Sequence, residues 1–241
     1  MSLFKKLFSG SEKLDQQKQA QTPDFSVGDI FYSQKEGKYK LCKLLAEDAE
    51  FECYHVLLYK PVENLPEGEE INNLDVFAYH APIDKKSYAE STLLVHQPVT
   101  AADLIGYHEY LRGTQEPAYY VSVANGYYKT AIELTNEKRH HEAIDFYSKA
   151  IDLFPPFFEA IDNRAFCKMD LGMWHEAIAD FQLSLVQNPV SLLAEFSIGE
   201  CYFKLGDFNQ AKQQFEKAHA IDPDHPAPNQ FLEKVNAVLD K

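Results

Sequence analysis

The chain has 241 residues, of which 45% are hydrophobic, so it is long and apolar enough for one large or two modest domains. It carries 23 Lys and Arg residues against 37 Asp and Glu residues, which gives a net charge of −14. Nucleic acid and anionic membranes bind cationic surfaces. This balance therefore argues against general affinity for either, and we expect no nucleic-acid partner.

Residues 1–22 predict a flexible N-terminal segment. Its large apolar residues, Leu3, Phe4, Leu7 and Phe8, would share one face of a short helix. We favour a frayed terminus over a weak membrane-surface or partner-docking element, because so short a helix is marginal alone. The sequence holds no apolar run of about 18 residues, so we expect no integral membrane span.

The cysteines, Cys42, Cys53, Cys167 and Cys201, form neither a CxxC pair nor a cluster with the spacing of metal ligands. We therefore expect reduced thiols, no metal, no cofactor and a cytoplasmic location. Cys167 and Cys201 lie 34 residues apart, and this favours equivalent packing positions on two helices over a thiol function.

Residues 23–116 predict a small β-rich domain that ends in a helix. Short runs rich in β-branched and aromatic residues are separated by turn residues. The predicted strands are Asp29–Tyr32, Lys38–Leu45, Phe51–Tyr59, Asp75–Tyr79 and Thr92–His96. Lys35-Glu-Gly37 predicts a hairpin turn with positive φ at Gly37. Thr100 and Asp103 predict a capped helix that ends near Gly113.

The opening of this half, Val27-Gly-Asp-Ile-Phe31, resembles small SH3-like barrels and also the start of some bacterial immunity proteins. Immunity proteins neutralise toxins by binding them. The second resemblance thus implies an alternative function, a toxin- or enzyme-neutralising inhibitor that acts through the β-rich domain.

The β-rich domain could also be an enzyme. Cys53 and His55 would share one face of a strand, a spacing that could support a thiolate pair. The sequence contains no HExxH, GxSxG, P-loop or GxGxxG motif. We therefore expect no catalytic residues and no enzymatic activity.

Residues 124–225 repeat with a period of 34 residues. Small residues, rings and prolines recur at this interval, as Ala143, Ala177 and Ala211; Ala131, Ala165 and Gly199; Tyr147, Phe181 and Phe215; and Pro155, Pro189 and Pro223. A small side chain lets two helices cross closely, a ring fills the space between hairpins, and proline stops a helix. A period of this length predicts stacked helical hairpins.

This pattern resembles the tetratricopeptide repeat (TPR), with units at residues 124–157, 158–191 and 192–225. The segments that carry the resemblance are Asn163-Arg-Ala165, Leu171-Gly-x-Trp-x-x-Ala177, Leu205-Gly-Asp-Phe-Asn-Gln-Ala211 and Ile221-Asp-Pro223. The resemblance implies an α+β chain. Its C-terminal part, residues 117–241, would be an all-α TPR solenoid of three helical hairpins plus a capping helix.

The turns inside the hairpins also follow the period. Gly172 and Gly206 stand where a left-handed residue ends the first helix of a hairpin, and Lys138 stands there in the first unit. Phe231, Leu232, Val235, Val238 and Leu239 have helical spacing and predict the capping helix, with Pro228 suited to its first turn.

The resemblance further implies a partner-binding groove on the concave face, lined by the first helix of each hairpin. The residues at the family's groove positions are Asn125, Tyr128, Ile132 and Asn136; Glu159, Asp162, Phe166, Met169 and Asp170; and Leu193, Phe196, Glu200, Phe203 and Lys204. They combine aromatic and apolar anchors with four carboxylates and a single lysine. A protein or peptide segment with basic and apolar residues would complement this lining.

Some members of the family grip the C-terminal carboxylates of chaperones with Lys, Arg and Asn. Asn163 stands at the asparagine position, but Tyr128, Leu193 and Ser197 stand where cations are expected. The resemblance therefore implies a non-catalytic interaction scaffold or adaptor that does not bind chaperone tails. The sequence leaves open a groove filled by the chain's own N-terminal half, and it leaves open the oligomeric state.

Overall fold

The computed structural model describes residues 23–240. The segment predicted over residues 1–22 lies outside the described residues. The strands are β1 (Asp29–Lys35), β2 (Lys38–Asp48), β3 (Cys53–Tyr59), β4 (Val76–Asp84) and β5 (Thr92–His96). They form one antiparallel sheet in the order β4-β3-β2-β1-β5. Short 3-10 turns lie between the later elements, at Gly68–Asn73, Lys85–Tyr88 and Ala102–Leu104.

The predicted strands are confirmed, with shifts at their ends. β3 begins at Cys53 rather than at Phe51, because a tight turn precedes it. In this turn the Asp48 side chain accepts hydrogen bonds from the backbone N–H groups of Glu50 and Phe51. Glu52 has a φ of 49°, which is incompatible with a strand.

The hairpin turn between β1 and β2 is also confirmed. Glu36 and Gly37 have φ values of 54° and 77°, and Lys35 pairs with Lys38 on either side of them. Positive φ at both central residues defines a type I′ turn, whose twist matches that of the flanking strands. The glycine supplies one of these two conformations without steric cost.

Eight α-helices follow the sheet: α1 (Ile105–Thr114), α2 (Pro117–Asn136), α3 (His140–Leu153), α4 (Phe158–Asp170), α5 (Trp174–Gln187), α6 (Leu192–Leu205), α7 (Phe208–Ile221) and α8 (Pro226–Leu239) within residues 23–240. α2–α3, α4–α5 and α6–α7 are the three predicted hairpins, and α8 packs on α7 as the predicted capping helix. The predicted α+β fold with an all-α solenoid is confirmed.

The 34-residue period is the packing period of these hairpins. The recurring small residues are fully buried where the helices cross, and Tyr147, Phe181 and Phe215 are buried between them. Each second helix ends two residues before its proline, at Leu153, Gln187 and Ile221. Cys167 and Cys201 are buried in the same stack, which confirms their packing role.

One turn geometry joins the two helices of every hairpin. Lys138, Gly172 and Gly206 have φ values of 60°, 74° and 79°. In each case the next residue's N–H bonds back to a carbonyl five residues earlier, as Arg139 does to Leu134. This is a Schellman motif, which closes a helix with a left-handed residue. Lys138 adopts the same conformation as the glycines, despite its side chain.

α1 fastens the sheet to the first hairpin. The residues that meet there form the seam, a buried cluster of Leu45, Leu57, Val99, Leu104, Tyr107, Leu111, Ala124 and Leu153. Beside it, His108 Nδ1 lies 2.5 Å from an Asp152 carboxylate oxygen, and Arg112 donates to the Asp152 backbone carbonyl. α2 starts at Pro117, before the predicted repeat unit, and its extra turns place Tyr120 and Val123 against the seam.

We predict opposite effects for two glycine-to-alanine changes. A Cβ at Gly199 would lie 2.6 Å from the ring of Phe215, which is fully buried and has no room to retreat. Gly199→Ala should therefore lower the free energy of unfolding by about 1–3 kcal/mol. Gly126→Ala, on the exposed side of α2 with nothing within 4 Å of the added carbon, should raise it by up to about 1 kcal/mol.

Urea denaturation of the two variants and the wild type measures both effects. The same sign for both variants would contradict close helix crossing at Gly199 as the reason for its small residue.

Candidate partner-binding groove

The first helices of the hairpins lie side by side along one side of the stack. The Asn163 amide of α4 donates a 2.9 Å hydrogen bond to the Tyr128 hydroxyl of α2. At the other end, the ring centroids of Phe196 in α6 and Phe231 in α8 are 5.3 Å apart. α2, α4, α6 and α8 thus form a continuous surface that carries all the predicted groove residues.

The predicted groove residues differ in exposure. Asn125, Asn136, Glu159, Asp170, Leu193 and Lys204 are exposed. Tyr128, Ile132, Phe166, Met169, Phe196, Glu200 and Phe203 are partly buried. Asp162 is buried, with 8% of its surface exposed. A row of half-buried apolar and aromatic side chains flanked by exposed polar ones is typical of a protein-binding surface.

The aromatic residues of the third unit are more enclosed than the sequence predicts. Phe203 lies 5.9 Å from Phe231 and 5.4 Å from Phe208, as measured between ring centroids. Phe231 also contacts Phe196 and Phe215. α8 therefore supplies part of the groove wall, a contribution that its assignment as a cap did not predict.

The four groove carboxylates fall into two pairs. Glu159 and Asp170 are exposed to solvent. Burial raises the pKa of Asp162, and the nearby Glu159 raises it further. Burial also raises the pKa of Glu200, with Lys204 and Lys234 acting in the opposite direction. Lys234, on α8, is a second cation at this end of the groove, and its ammonium lies 4.2 Å from the centre of the Phe231 ring.

One N–H of the Asn163 amide is already used in the hydrogen bond to the Tyr128 hydroxyl. Tyr128 and Leu193 place a phenol and an aliphatic chain at two of the positions where a carboxylate-gripping groove needs cations, and Ser197 is buried at the third. A peptide carboxylate in this part of the groove would meet the exposed Glu159 and find no cation among these three residues.

The described part of the N-terminal half packs elsewhere. Its contacts fall on α3, where the backbone N–H of Ala101 donates to Asp145 and His108 meets Asp152. On α2 the seam is flanked by Tyr120, Val123 and Tyr127, which are not among the predicted groove residues. Residues 23–116 therefore leave the groove open.

The sheet also brings together a pair of histidines that the sequence did not predict. His55 Nδ1 lies 2.8 Å from His80 Nε2, and the two imidazole rings stack on each other. The rings of Tyr107 and Tyr110, on α1, lie tilted against them. Burial lowers the pKa of both imidazoles, that of His80 to about 4. Burial raises the pKa of the Cys53 thiol, so a Cys53–His55 thiolate pair gains no support.

Comparisons with known proteins give two family-model matches within the helical half. Residues 124–157 and 193–225 match family models described as "Tetratricopeptide repeat". Human DnaJ homolog subfamily C member 7 is 31% identical over 104 residues, which is 43% of this chain and 21% of that protein. Human tetratricopeptide repeat protein 6 is 34% identical over 67 residues, 28% of this chain and 13% of that protein. The chain thus spans about a fifth or less of these relatives.

Two solved structures align with the chain at low overall similarity. One is the first TPR of Spaghetti (RPAP3) bound to the HSP90 peptide SRMEEVD, with 24% identity, a TM-score of 0.47, and coverage of 49% of this chain and 94% of that one. The other is MamA, residues 41 to the end, from Desulfovibrio magneticus RS-1, with 18% identity, a TM-score of 0.46, and coverage of 58% and 76%.

No helix within residues 23–240 combines the length and the apolar character needed to cross a bilayer. In the same part of the chain, no three His, Cys, Asp or Glu side chains form a group that could hold a metal ion.

The histidine pair predicts an acid-sensitive sheet. A histidine whose pKa is lowered by folding stabilises the fold above its ordinary pKa, near 6.5, and this stabilisation is lost as the pH falls towards the folded-state value. For His80 the window runs from roughly 6.5 down to about 4. As the pH is lowered through this window, the melting temperature of His80→Gln should therefore fall less than that of the wild type.

The exposed His175→Gln is the matched control, and it should show the slope of the wild type. Calorimetry over the pH range measures all three slopes. Equal slopes for His80→Gln and the wild type would contradict a neutral histidine pair with a lowered pKa.

Proposed function

We propose that this chain, whose helical half belongs to the tetratricopeptide repeat family, is a non-catalytic scaffold or adaptor that binds a segment of a partner protein in its TPR groove. One observation carries the proposal: residues 23–116 pack on α3 and on one side of α2, so they leave uncovered the groove formed by α2, α4, α6 and α8. A surface with aromatic anchors and a polar margin supports binding of a polypeptide.

The charges of the groove favour a partner with basic and apolar residues. Glu159 and Asp170 are exposed on α4, and Leu193 offers an apolar contact with 49% of its surface exposed. Lys204 and Lys234 lie beside Glu200 at the α6–α8 end and offset the negative charge of the groove there. A basic segment would therefore bind chiefly along α4, where the carboxylates face solvent.

A chaperone tail is not the partner that we propose. One of the solved structures that align with this chain, the first TPR of Spaghetti (RPAP3), is bound to an HSP90 peptide. In this chain Tyr128, Leu193 and Ser197 offer no positive charge to a terminal carboxylate. The partner segment is thus an internal or basic one.

Other assignments rest on the sequence and are part of this proposal. We assign residues 23–116 to a β-rich domain, 117–241 to the TPR domain, and the protein to the cytoplasm. The alternative, an inhibitor that neutralises a toxin or enzyme through the β-rich domain, gains no support from the family matches, which lie within residues 124–225.

The test of the groove is a charge reversal on α4. Glu159→Lys combined with Asp170→Lys removes both exposed carboxylates without opening the core, so the melting temperature should change little. A labelled synthetic peptide of Lys and Leu should bind this variant at least about tenfold more weakly than the wild type. Added salt should weaken binding to the wild type.

Glu176→Lys combined with Glu216→Lys is the matched control. It makes the same change in net charge at exposed sites on α5 and α7, which are second helices of their hairpins. Affinity capture from the native host with the three proteins as bait then identifies the partner. A partner retained equally by all three would bind outside the groove, and the proposal would be wrong.

A further inference from the structure

A cavity lies on the sheet, on the face opposite α1. It encloses about 440 Å³, a volume in the range of binding pockets. Its walls are mainly apolar and include Leu58, Ile83 and the ring of Tyr88. Phe77, on β4, lies at its margin with 71% of its surface exposed. Exposed aromatic rings beside apolar cavities are frequent anchors of protein contacts.

The cavity wall contains a polar group without a partner. The side chain of Tyr88 is buried, and its hydroxyl forms no hydrogen bond within residues 23–240. Burial raises the pKa of this phenol well above its usual range and that of the neighbouring Cys42 thiol to about 11. Both groups are therefore neutral at physiological pH, and the group beside the phenol hydroxyl is the Cys42 thiol, which is only a weak acceptor.

Three lysines lie on the cavity's side of the β1–β2 hairpin. Lys40 is part of its lining. Ser33 pairs with Lys40 and Lys35 pairs with Lys38, so all three lysines project from the same face as Phe31 and Cys42. None of the three forms an ion pair within the described residues. This cationic group lies on a chain whose net charge is −14.

We propose that this face is a second binding site, which takes an acidic peptide segment of a partner protein with one large apolar side chain. The apolar side chain fills the cavity beside Phe77, an acceptor of the peptide meets the Tyr88 hydroxyl, and carboxylates pair with Lys38 and Lys40. A peptide fits better than a small amphiphile, because Lys38 and Lys40 lie about 7 Å apart along the strand and need charges at successive points.

This site extends beyond the TPR groove and prefers the opposite charge. The groove presents Glu159 and Asp170, whereas this face presents lysines. The two sites lie on different parts of the fold, on the solenoid and on the sheet. The protein can therefore hold two partners of different charge without competition between them.

The test uses a fluorescein-labelled synthetic peptide of Asp and Glu with one central Phe, and full-length protein. The wild type should bind this peptide measurably, and the same peptide with Ala in place of Phe at least about tenfold more weakly. Lys38→Glu combined with Lys40→Glu should cause a loss of similar size, and so should Phe77→Ala. All these side chains are exposed, so the melting temperatures should stay close to that of the wild type.

Matched controls separate this site from the groove and from a general effect of net charge. Lys129→Glu combined with Lys212→Glu changes the net charge equally in the helical half and should leave the affinity within about twofold of the wild type. The groove variant Glu159→Lys with Asp170→Lys should not weaken binding of the acidic peptide. Tyr88→Phe, which deletes only the hydroxyl, should weaken binding of the Phe peptide.

Three results would overturn the proposal. One is no binding of the acidic peptide to the wild type, including the case in which octanoate binds at the cavity and the peptide does not. Another is equal affinity for the wild type and the Lys38→Glu, Lys40→Glu variant. The third is a loss of affinity for the acidic peptide in the helical control or the groove variant, with no loss in the sheet variants.

Discussion

The packing of α1 between the sheet and the first hairpin is the constraint on which the rest depends. Leu45 and Leu57 leave one face of the sheet apolar, and this face must be covered. Leu104, in the 3-10 turn before α1, and Leu111 of α1 cover it, and α1 in turn rests on Leu153 of the first hairpin. A single buried cluster therefore orders both halves, and it uses the α3 side of the solenoid rather than the groove formed by α2, α4, α6 and α8.

Residues 23–240 leave two surfaces uncovered as a result, and the charges of these surfaces differ. The solenoid presents carboxylates on α4, and the outer face of the sheet presents the lysines of the β1–β2 hairpin. Segregated charges of opposite sign on a chain with a large negative net charge favour selection between partners more than they favour stability. The sheet half is then more than a support for the repeats, because it contributes a surface of its own.

The repetitive features were predictable from the sequence because they depend on local geometry. The interval of 34 residues fixed the buried alanines, the rings and even the left-handed turn at Lys138. Contacts between distant segments were not predictable. His55 meets His80 because β3 pairs with β4, and the first turns of α2, from Pro117, pack Tyr120 and Val123 against the seam. The enclosure of Phe203 likewise depends on where α8 packs, which no periodicity specifies.

The groove is pre-organised by polar contacts within the second hairpin and between it and the first. Arg164 of α4 donates to both oxygens of Asp180 in α5, at 2.7 and 2.9 Å, and to Ser148 of α3 at 2.9 Å. Lys168 adds a second cation at 2.6 Å from Asp180, whose side chain is buried. An isolated buried carboxylate would be costly, but here two cations and fixed geometry satisfy it, so the network favours one arrangement of α3, α4 and α5. Because Asn163 beside it also ties α4 to Tyr128 of α2, the curvature of the groove is set before a partner arrives. Binding of the proposed partner segment would then require little ordering of the protein.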